Sequence, residues 1–153
     1  MNSPLISVIL PVFNAEATIV RSIKSILDQT FLDFELIIVN NGSTDQTKNI
    51  ILGFKDSRIC HLELPTPNLV AALNFGIEQA KGAFIARIDS DDYAYPTRLE
   101  IQIAHLQQNP PTGLVSGKVN YVGDSKKNEG YFRYVDWANS ILSTEETYLL
   151  TQR

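Results

Sequence analysis

Gly82-Ala83-Phe84-Ile85-Ala86-Arg87-Ile88-Asp89-Ser90-Asp91-Asp92-Tyr93-Ala94-Tyr95-Pro96-Thr97-Arg98 decides how this chain is organised. Ala83 to Ile88 is a short apolar run of the kind a buried strand shows, and it ends in Asp89, Asp91 and Asp92, carboxylates that no apolar core accepts. Open α/β sheets bind ligands outside the carboxyl ends of their strands, so acids at such an end are placed to work on a ligand. Asp89-Ser90-Asp91 sets two hard oxygen donors two residues apart, which suits Mg²⁺ or Mn²⁺ shared with a diphosphate. Two other readings compete. A calcium loop would use Asp89, Asp91 and Glu100 as its first, third and twelfth residues, but Tyr93 and Ala94 stand where an oxygen ligand and the turn glycine belong. A solvated turn capping a helix near Arg98 also suits these aspartates.

Strand and helix signals alternate outward from this stretch. Leu5 to Leu10 is apolar except for Ser7, as in a parallel strand covered on both faces, and Pro11 is expected to end it. Ile19, Ile23, Ile26 and Leu27 recur at helical spacing within residues 17–29. Phe34 to Val39 reads as a second strand and Asn40-Asn41-Gly42 as a turn. Ser43 and Gln46 then form a capping-box pattern ahead of a helix carrying Ile50, Ile51 and Phe54. Ile59 to Leu64 is the third strand, and Leu69, Leu73, Ile77 and Ala80 mark the third helix, with Gly82 as its stop signal. Leu99, Ile103 and Leu106 trace a fourth helix that Pro110 and Pro111 terminate, and Leu114 to Val122 reads as a fifth strand. This rhythm predicts an α/β fold with a doubly wound, mostly parallel sheet and helices on both faces.

Composition narrows the function classes. At 153 residues, 44% hydrophobic and 20% charged, the chain has ordinary globular usage; a net charge of -4 gives it no electrostatic footprint for nucleic acid. Cys60 is the single cysteine and is read as a small buried hydrophobe. A reduced cytoplasmic setting is therefore the expectation, with a peripheral place at the inner face of the membrane as its variant. There is no uninterrupted apolar stretch of spanning length and no signal-peptide pattern at the start. His61 and His105 belong to no motif, and neither the Gly-x-Gly-x-x-Gly nor the P-loop pattern is present.

Three strand ends thus converge: the Pro11-Val12-Phe13-Asn14 loop, the Asn40 to Ser43 turn and the Asp89 to Asp91 acids. Ser7 to Asn14, Phe34 to Asp45, Ala71 to Asn74, Gly82 to Asp92 and Pro96 to Leu99 resemble, in that order, the N-terminal part of a family 2 glycosyltransferase. The resemblance implies the Rossmann-like GT-A fold, with a nucleotide-sugar-binding domain over residues 1–125 and the incomplete start of an acceptor-side helical segment over 126–153. It implies that Pro11, Val12 and Phe13 border the nucleotide base, with Glu16 beside them. Asn41 falls where an Asp usually bonds the base, so Asn40 and Asn41 both depart from the usual paired acids. Asn68 stands where Gly is common, in a turn that would need φ > 0. Asp89, Ser90 and Asp91 match the Asp-x-Asp motif; Asp91 would be the direct metal ligand, and Asp89 would lie nearer the ribose. Arg87 and Arg98 are read as ion-paired, phosphate contact being the other reading.

The resemblance implies an inverting transfer of sugar from a nucleotide-diphosphate sugar, a UDP-sugar first, to a glycan or lipid-linked acceptor in polysaccharide, lipopolysaccharide or glycoconjugate synthesis. The catalytic base is expected beyond Arg153, so the chain reads as truncated and without turnover by itself. A homodimer is expected, with Tyr131 to Leu150 as the contact region. A nucleotide-binding or assembly domain without turnover is the rival from another class. A sugar nucleotidyltransferase lacks its Gly-rich basic loop, since Asn14-Ala15-Glu16 is not one.

Overall fold

The computed structural model describes residues 3–124 and 126–141 and divides the chain into compact units at 1–99 and 100–153. The first unit contains β1 (Ile6–Val12), α1 (Ile19–Leu27), β2 (Phe34–Asn41), α2 (Thr47–Gly53), β3 (Ile59–Leu64), α3 (Leu69–Gln79) and β4 (Phe84–Arg87), and α4 (Arg98–Gln108) begins at its end. The strands form one parallel sheet in the order β3-β2-β1-β4, with β1 pairing on both sides.

Every residue of β1 is buried, whichever face it points to, so the sheet is covered on both sides as its unbroken apolar run predicts. Ile9, Ile37 and Val39 on one face pack with Ala72 of α3, and Cys60, Leu62 and Leu73 join them. Residues of the opposite parity, Val8, Leu10, Leu36 and Ile38, are equally buried, as are Ile19, Ile23 and Ile26 of α1. Cys60 packs against this core as a small hydrophobe, but is partly buried rather than buried as expected.

Several boundaries differ from expectation, each for a local reason. Pro11 does not end β1, which runs on to Val12. Ile9 C=O accepts from Ile88 N–H, so Pro11, two residues on, points to the same side; there β4 pairing has already stopped at Ile9 and Arg87, and no N–H is needed. Asn40 and Asn41 are not turn residues but the buried end of β2, and the turn proper is Gly42, with φ at 74°. The Ser43/Gln46 capping box does not form; α2 opens with Thr47 N–H bonded to Asp45 Oδ1 and Gln46 N–H to Glu16 Oε2. Asn68 has φ of −159°, extended backbone open to any residue, and caps α3 by accepting from Ala71 N–H at 3.0 Å.

In the second unit, residues 114–122 form no strand. Leu114, Val119 and Val122 are exposed, and the Asn139 side chain bonds both the N–H and the C=O of Val119 that a ladder would use. Gly113 and Gly117 weaken the segment further. α5 (Glu129–Ile141) supplies the helical character expected after residue 126, while Glu145 and Glu146 lie outside the described residues. No described helix is long and apolar enough to cross a membrane.

Ser7, fully buried in β1, joins two strands and a loop. Its Oγ donates to Glu35 Oε1 at 2.6 Å and accepts from Gly82 N–H at 2.8 Å and Lys81 N–H at 3.2 Å. Gly82 passes so close that an added Cβ would stand 2.5 Å from Ser7 N and 2.7 Å from Ile6 C, both backbone atoms that cannot yield. Gly82→Ala is expected to cost about 3 kcal/mol, as overpacking against rigid backbone does; an unchanged midpoint in urea would contradict this packing.

Asp56 accepts from Arg58 Nε and Nη2 and from Arg58 N–H, and these bonds pull its pKa down to about 2. A carboxyl depressed below its unfolded value of about 3.9 adds stability above that value and loses it as the pH falls towards 2. Asp56→Asn is therefore expected to lower stability at pH 7 by about 1 kcal/mol, discounted for solvent screening. The difference should close between pH 4 and pH 2 in pH-dependent thermal melts.

Candidate functional site

A cleft of about 440 Å³ opens at the C-terminal ends of β1, β2 and β4. Pro11, Val12 and Phe13 of β1 and its loop line it, with Asn41 at the end of β2, Pro67, Asn68 and Leu69 at the start of α3, and Arg87, Asp89, Ser90 and Asp91 at the end of β4. The structure thus gathers every site residue expected from the sequence except Glu16. That residue is absent from the lining and instead caps α2 through Gln46 N–H at 2.9 Å. Pro67 and Leu69 join without having been expected as lining, and Arg87 lines the cleft while it is ion-paired as read from the sequence.

The two asparagines have separate tasks because neighbouring residues of a strand face opposite ways. Asn40 Nδ2 donates to Glu63 Oε2 at 3.1 Å, and its Oδ1 accepts from Ser43 N–H, which closes the turn. Asn41 is 5% exposed, and its Oδ1 accepts from Asn68 N–H at 2.8 Å. A backbone donor can pair only with the amide oxygen, so this bond fixes the flip of the side chain. Its Nδ2 has no protein acceptor among the described residues, which also hold no buried side-chain nitrogen or oxygen without a partner; the amide N–H₂ is therefore open to the cleft.

A further network ties the β1 loop to the β2 turn. Asn14, at φ 46°, donates its N–H to Ser43 Oγ at 3.0 Å, and its Oδ1 accepts from Thr44 N–H at 2.8 Å. Asn is among the few residues that hold the left-handed region at low cost, and the bond made by its side chain pins it there. Ala15 N–H adds a bond to buried Thr47 Oγ1 at 2.8 Å.

The acidic loop is held from below by α1. Arg21 Nη2 donates to Asp91 C=O at 2.9 Å, and Ser22 Oγ to Asp89 C=O at 3.1 Å. Ser25 Oγ accepts from Ala94 N–H, while Gln29 donates to Tyr95 C=O and accepts from Leu99 N–H. Ser22 and Ser25, on a face of α1 that the sequence pattern assigned to apolar residues alone, and Gln29, just past the end of that helix, are all buried. These supports were missed because a buried serine or glutamine carries no periodic signal distinct from a surface one.

Charge at the loop is nearly matched. Arg87 Nη2 lies 2.8 Å from Asp89 Oδ1 and 3.1 Å from Oδ2, and its Nε adds a bond to Oδ1. Partial burial, then the charges of Asp91 and Asp89, raises the Asp92 carboxyl above its ordinary value, against the pull of Arg98. Burial lowers the Arg98 guanidinium, Asp92 counters it, and Arg98 Nη2 is anchored on Arg87 C=O at 2.9 Å. Of the two carboxylates that line the cleft, Asp89 and Asp91, only that of Asp91 has no side-chain hydrogen bond or ion pair among the described residues. No group of three or more described His, Cys, Asp or Glu residues is arranged to cage a metal. One unmatched carboxylate at a cleft mouth fits a hard cation that takes its remaining oxygens from a diphosphate and water, as Mg²⁺ does, and does not fit a protein-only cage.

With this geometry the chain can be set beside known proteins. Residues 7–151 match the profile of Glycosyl transferase family 2. An uncharacterized glycosyltransferase of Haemophilus influenzae is 42% identical over 112 residues, covering 71% of this chain and 45% of that protein. The UDP-Glc:alpha-D-GlcNAc-diphosphoundecaprenol beta-1,3-glucosyltransferase WfgD of Escherichia coli is 40% identical over 110 residues, covering 71% and 44%. The matched stretch therefore spans less than half the length of these relatives. Among solved structures, S. aureus TarS 1–349 in complex with UDP superposes with a TM-score of 0.66 at 27% identity, over 78% of this chain and 38% of TarS. The same fragment in complex with UDP-GlcNAc gives a TM-score of 0.65. The four-stranded parallel sheet is thus that of a GT-A glycosyltransferase, and a family profile spanning residues 7–151 shows that this chain belongs to glycosyl transferase family 2.

Proposed function

We propose that this chain binds the nucleotide-diphosphate sugar of an inverting glycosyltransferase, a UDP-sugar first, for transfer to a glycan or lipid-linked acceptor hydroxyl. The observation that carries this reading is the unmatched Asp91 carboxylate at the mouth of the cleft. In the sheet order β3-β2-β1-β4, Asn41 and the acids sit at the ends of strands two places apart, about 10 Å at the usual strand spacing. A nucleoside diphosphate laid along that line puts its base at Asn41, its sugar over the β1 loop and its phosphates at Asp91. The TarS complexes with UDP and with UDP-GlcNAc support this choice of ligand.

In the reaction so read, Pro11, Val12 and Phe13 flank the base, Asn41 Nδ2 donates to an acceptor on it, and Asn68 keeps that amide from turning. Asp91, with Asp89 and Ser90 beside it, would hold Mg²⁺ or Mn²⁺, which when bound neutralises charge on the departing diphosphate. An acceptor hydroxyl attacks the anomeric carbon, with the diphosphate leaving from the opposite face; no described residue is assigned as its base. Synthesis of polysaccharide, lipopolysaccharide or another glycoconjugate, a cytoplasmic setting with a peripheral place at the inner face of the membrane as its variant, and a homodimer belong to the same proposal.

Asp91→Ala is expected to abolish the Mn²⁺-dependent part of UDP binding in calorimetry, and Asp92→Ala to cost less, since Asp92 is balanced by Arg98. Metal dependence that survives Asp91→Ala would sink the assignment. Absence of nucleotide binding in the unaltered chain would favour an assembly domain instead.

Asn41→Asp keeps an oxygen for Asn68 N–H but replaces the amide donor by an acceptor. Uracil offers N3–H at the position where cytosine offers an acceptor nitrogen. The variant is therefore expected to shift the UDP-to-CDP affinity ratio towards UDP by about tenfold, one hydrogen bond exchanged for a mismatch. An unchanged ratio would show that Asn41 does not face the base.

A further inference from the structure

Arg87 ends β4 with its backbone fixed. It is paired with Ile9 of β1, and its C=O accepts from Arg98 Nη2 at 2.9 Å. Only its side chain is left to move, and that side chain lines the cleft. Nε and Nη2 hold both oxygens of Asp89, while Nη1 has no protein acceptor among the described residues. The pair is half exposed, at 52% for the arginine side chain and 46% for the aspartate, so solvent screens it and it is weakly held. A guanidinium held this weakly beside a cleft of about 440 Å³ is available for exchange.

We propose that Arg87 is a ligand-binding residue that works by exchange: its guanidinium holds Asp89 in the free protein and moves to the diphosphate when a nucleotide enters. The move releases the Asp89 carboxylate to the cation or the ribose. This rests on the reading of the cleft as a nucleoside-diphosphate site and adds a residue and a coupling to it. The planar fork that now grips a carboxylate matches phosphate oxygens equally well, and a diphosphate carries more charge than one aspartate. Nη1 can engage the phosphate before the Asp89 bonds are given up, so the exchange passes through no unpaired state.

The same geometry makes Arg87 and the divalent cation competitors for Asp89. While Arg87 holds both oxygens, a cation without nucleotide meets Asp91 alone and binds weakly. Once the diphosphate has drawn Arg87 away, the cation can reach both carboxylates and the phosphate. Nucleotide and cation therefore bind with positive coupling, and reciprocity requires each to tighten the other by the same factor. Arg98 cannot replace Arg87 in this role, because its Nη2 is committed to the strand-end carbonyl.

The test measures two equilibria on Arg87→Gln and on the unaltered chain: Mn²⁺ alone, by electron paramagnetic resonance, and UDP in excess EDTA, by calorimetry. The expected changes have opposite signs. Mn²⁺ alone should bind about fivefold more tightly, because Asp89 is freed. UDP without metal should bind about tenfold more weakly, the worth of one charge-assisted pair. Arg87→Lys, which keeps the charge, should recover part of the UDP affinity. A tighter Mn²⁺ site cannot arise from misfolding, so that arm stands even if the variant is less stable. Both affinities falling together, or neither moving, would overturn the exchange and leave Arg87 a structural partner of Asp89. If the unaltered chain binds no UDP with or without Mn²⁺, the underlying reading fails and this assignment falls with it.

Discussion

The passage of Gly82 over Ser7 sets the geometry on which the site depends. Side-chain periodicity alone would tolerate slips of β4 by two residues along β1, since each keeps the same face buried. The contact at Ser7 N and Ile6 C admits no side chain at Gly82, and the Ser7 hydroxyl gathers Lys81 N–H, Gly82 N–H and Glu35 at one point. That selects the register Ile6 to Phe84 through Ile9 to Arg87. Asp89 and Asp91 then emerge level with the β1 loop, and a slip of two residues would carry them about 7 Å along the strand, out of reach of a shared ligand.

The acids are also fixed from the side of α1, by buried polar residues on that helix and just past its end. Ser22, Ser25 and Gln29 satisfy backbone groups of the Asp89 to Leu99 loop, which otherwise has no ladder partner. Buried backbone groups left without a partner each cost about 1–3 kcal/mol, so these side chains are the condition for an irregular segment to lie against the core. The loop thereby has few ways to rearrange. What remains free to respond to a ligand is side chains: the weakly held Arg87 fork, the Asp91 carboxylate and the outward N–H₂ of Asn41.

Charge at the site follows an economy of the same kind. Asp89 is ion-paired with Arg87, and Asp92 feels the charge of Arg98 without a direct bond to it, so Asp91 is the cleft carboxylate left without a balancing cation. A free protein with three unmatched carboxylates on adjacent residues would strain its own loop, whereas one unmatched carboxylate is tolerated by solvent and still attracts a cation.

The sequence by itself determined the alternation of strands and helices, the burial of β1 on both faces and the gathering of Pro11 to Phe13, Asn41, Asn68 and Asp89 to Asp91 at one cleft. These follow from apolar periodicity and from strand ends, which are local properties of the chain. Tertiary structure alone decided what depends on a distant partner. Pro11 continues a strand because β4 stops short of it, Glu16 caps a helix rather than lining the cleft, and Asn40 and Asn41 serve different neighbours. Residues 114–122 form no strand, and a side chain of α5 takes the backbone groups of Val119 that a ladder would use. Polar residues have no period that tells a buried bond from a solvated one; their role is set by the atom that arrives opposite them, and only folding brings that atom there.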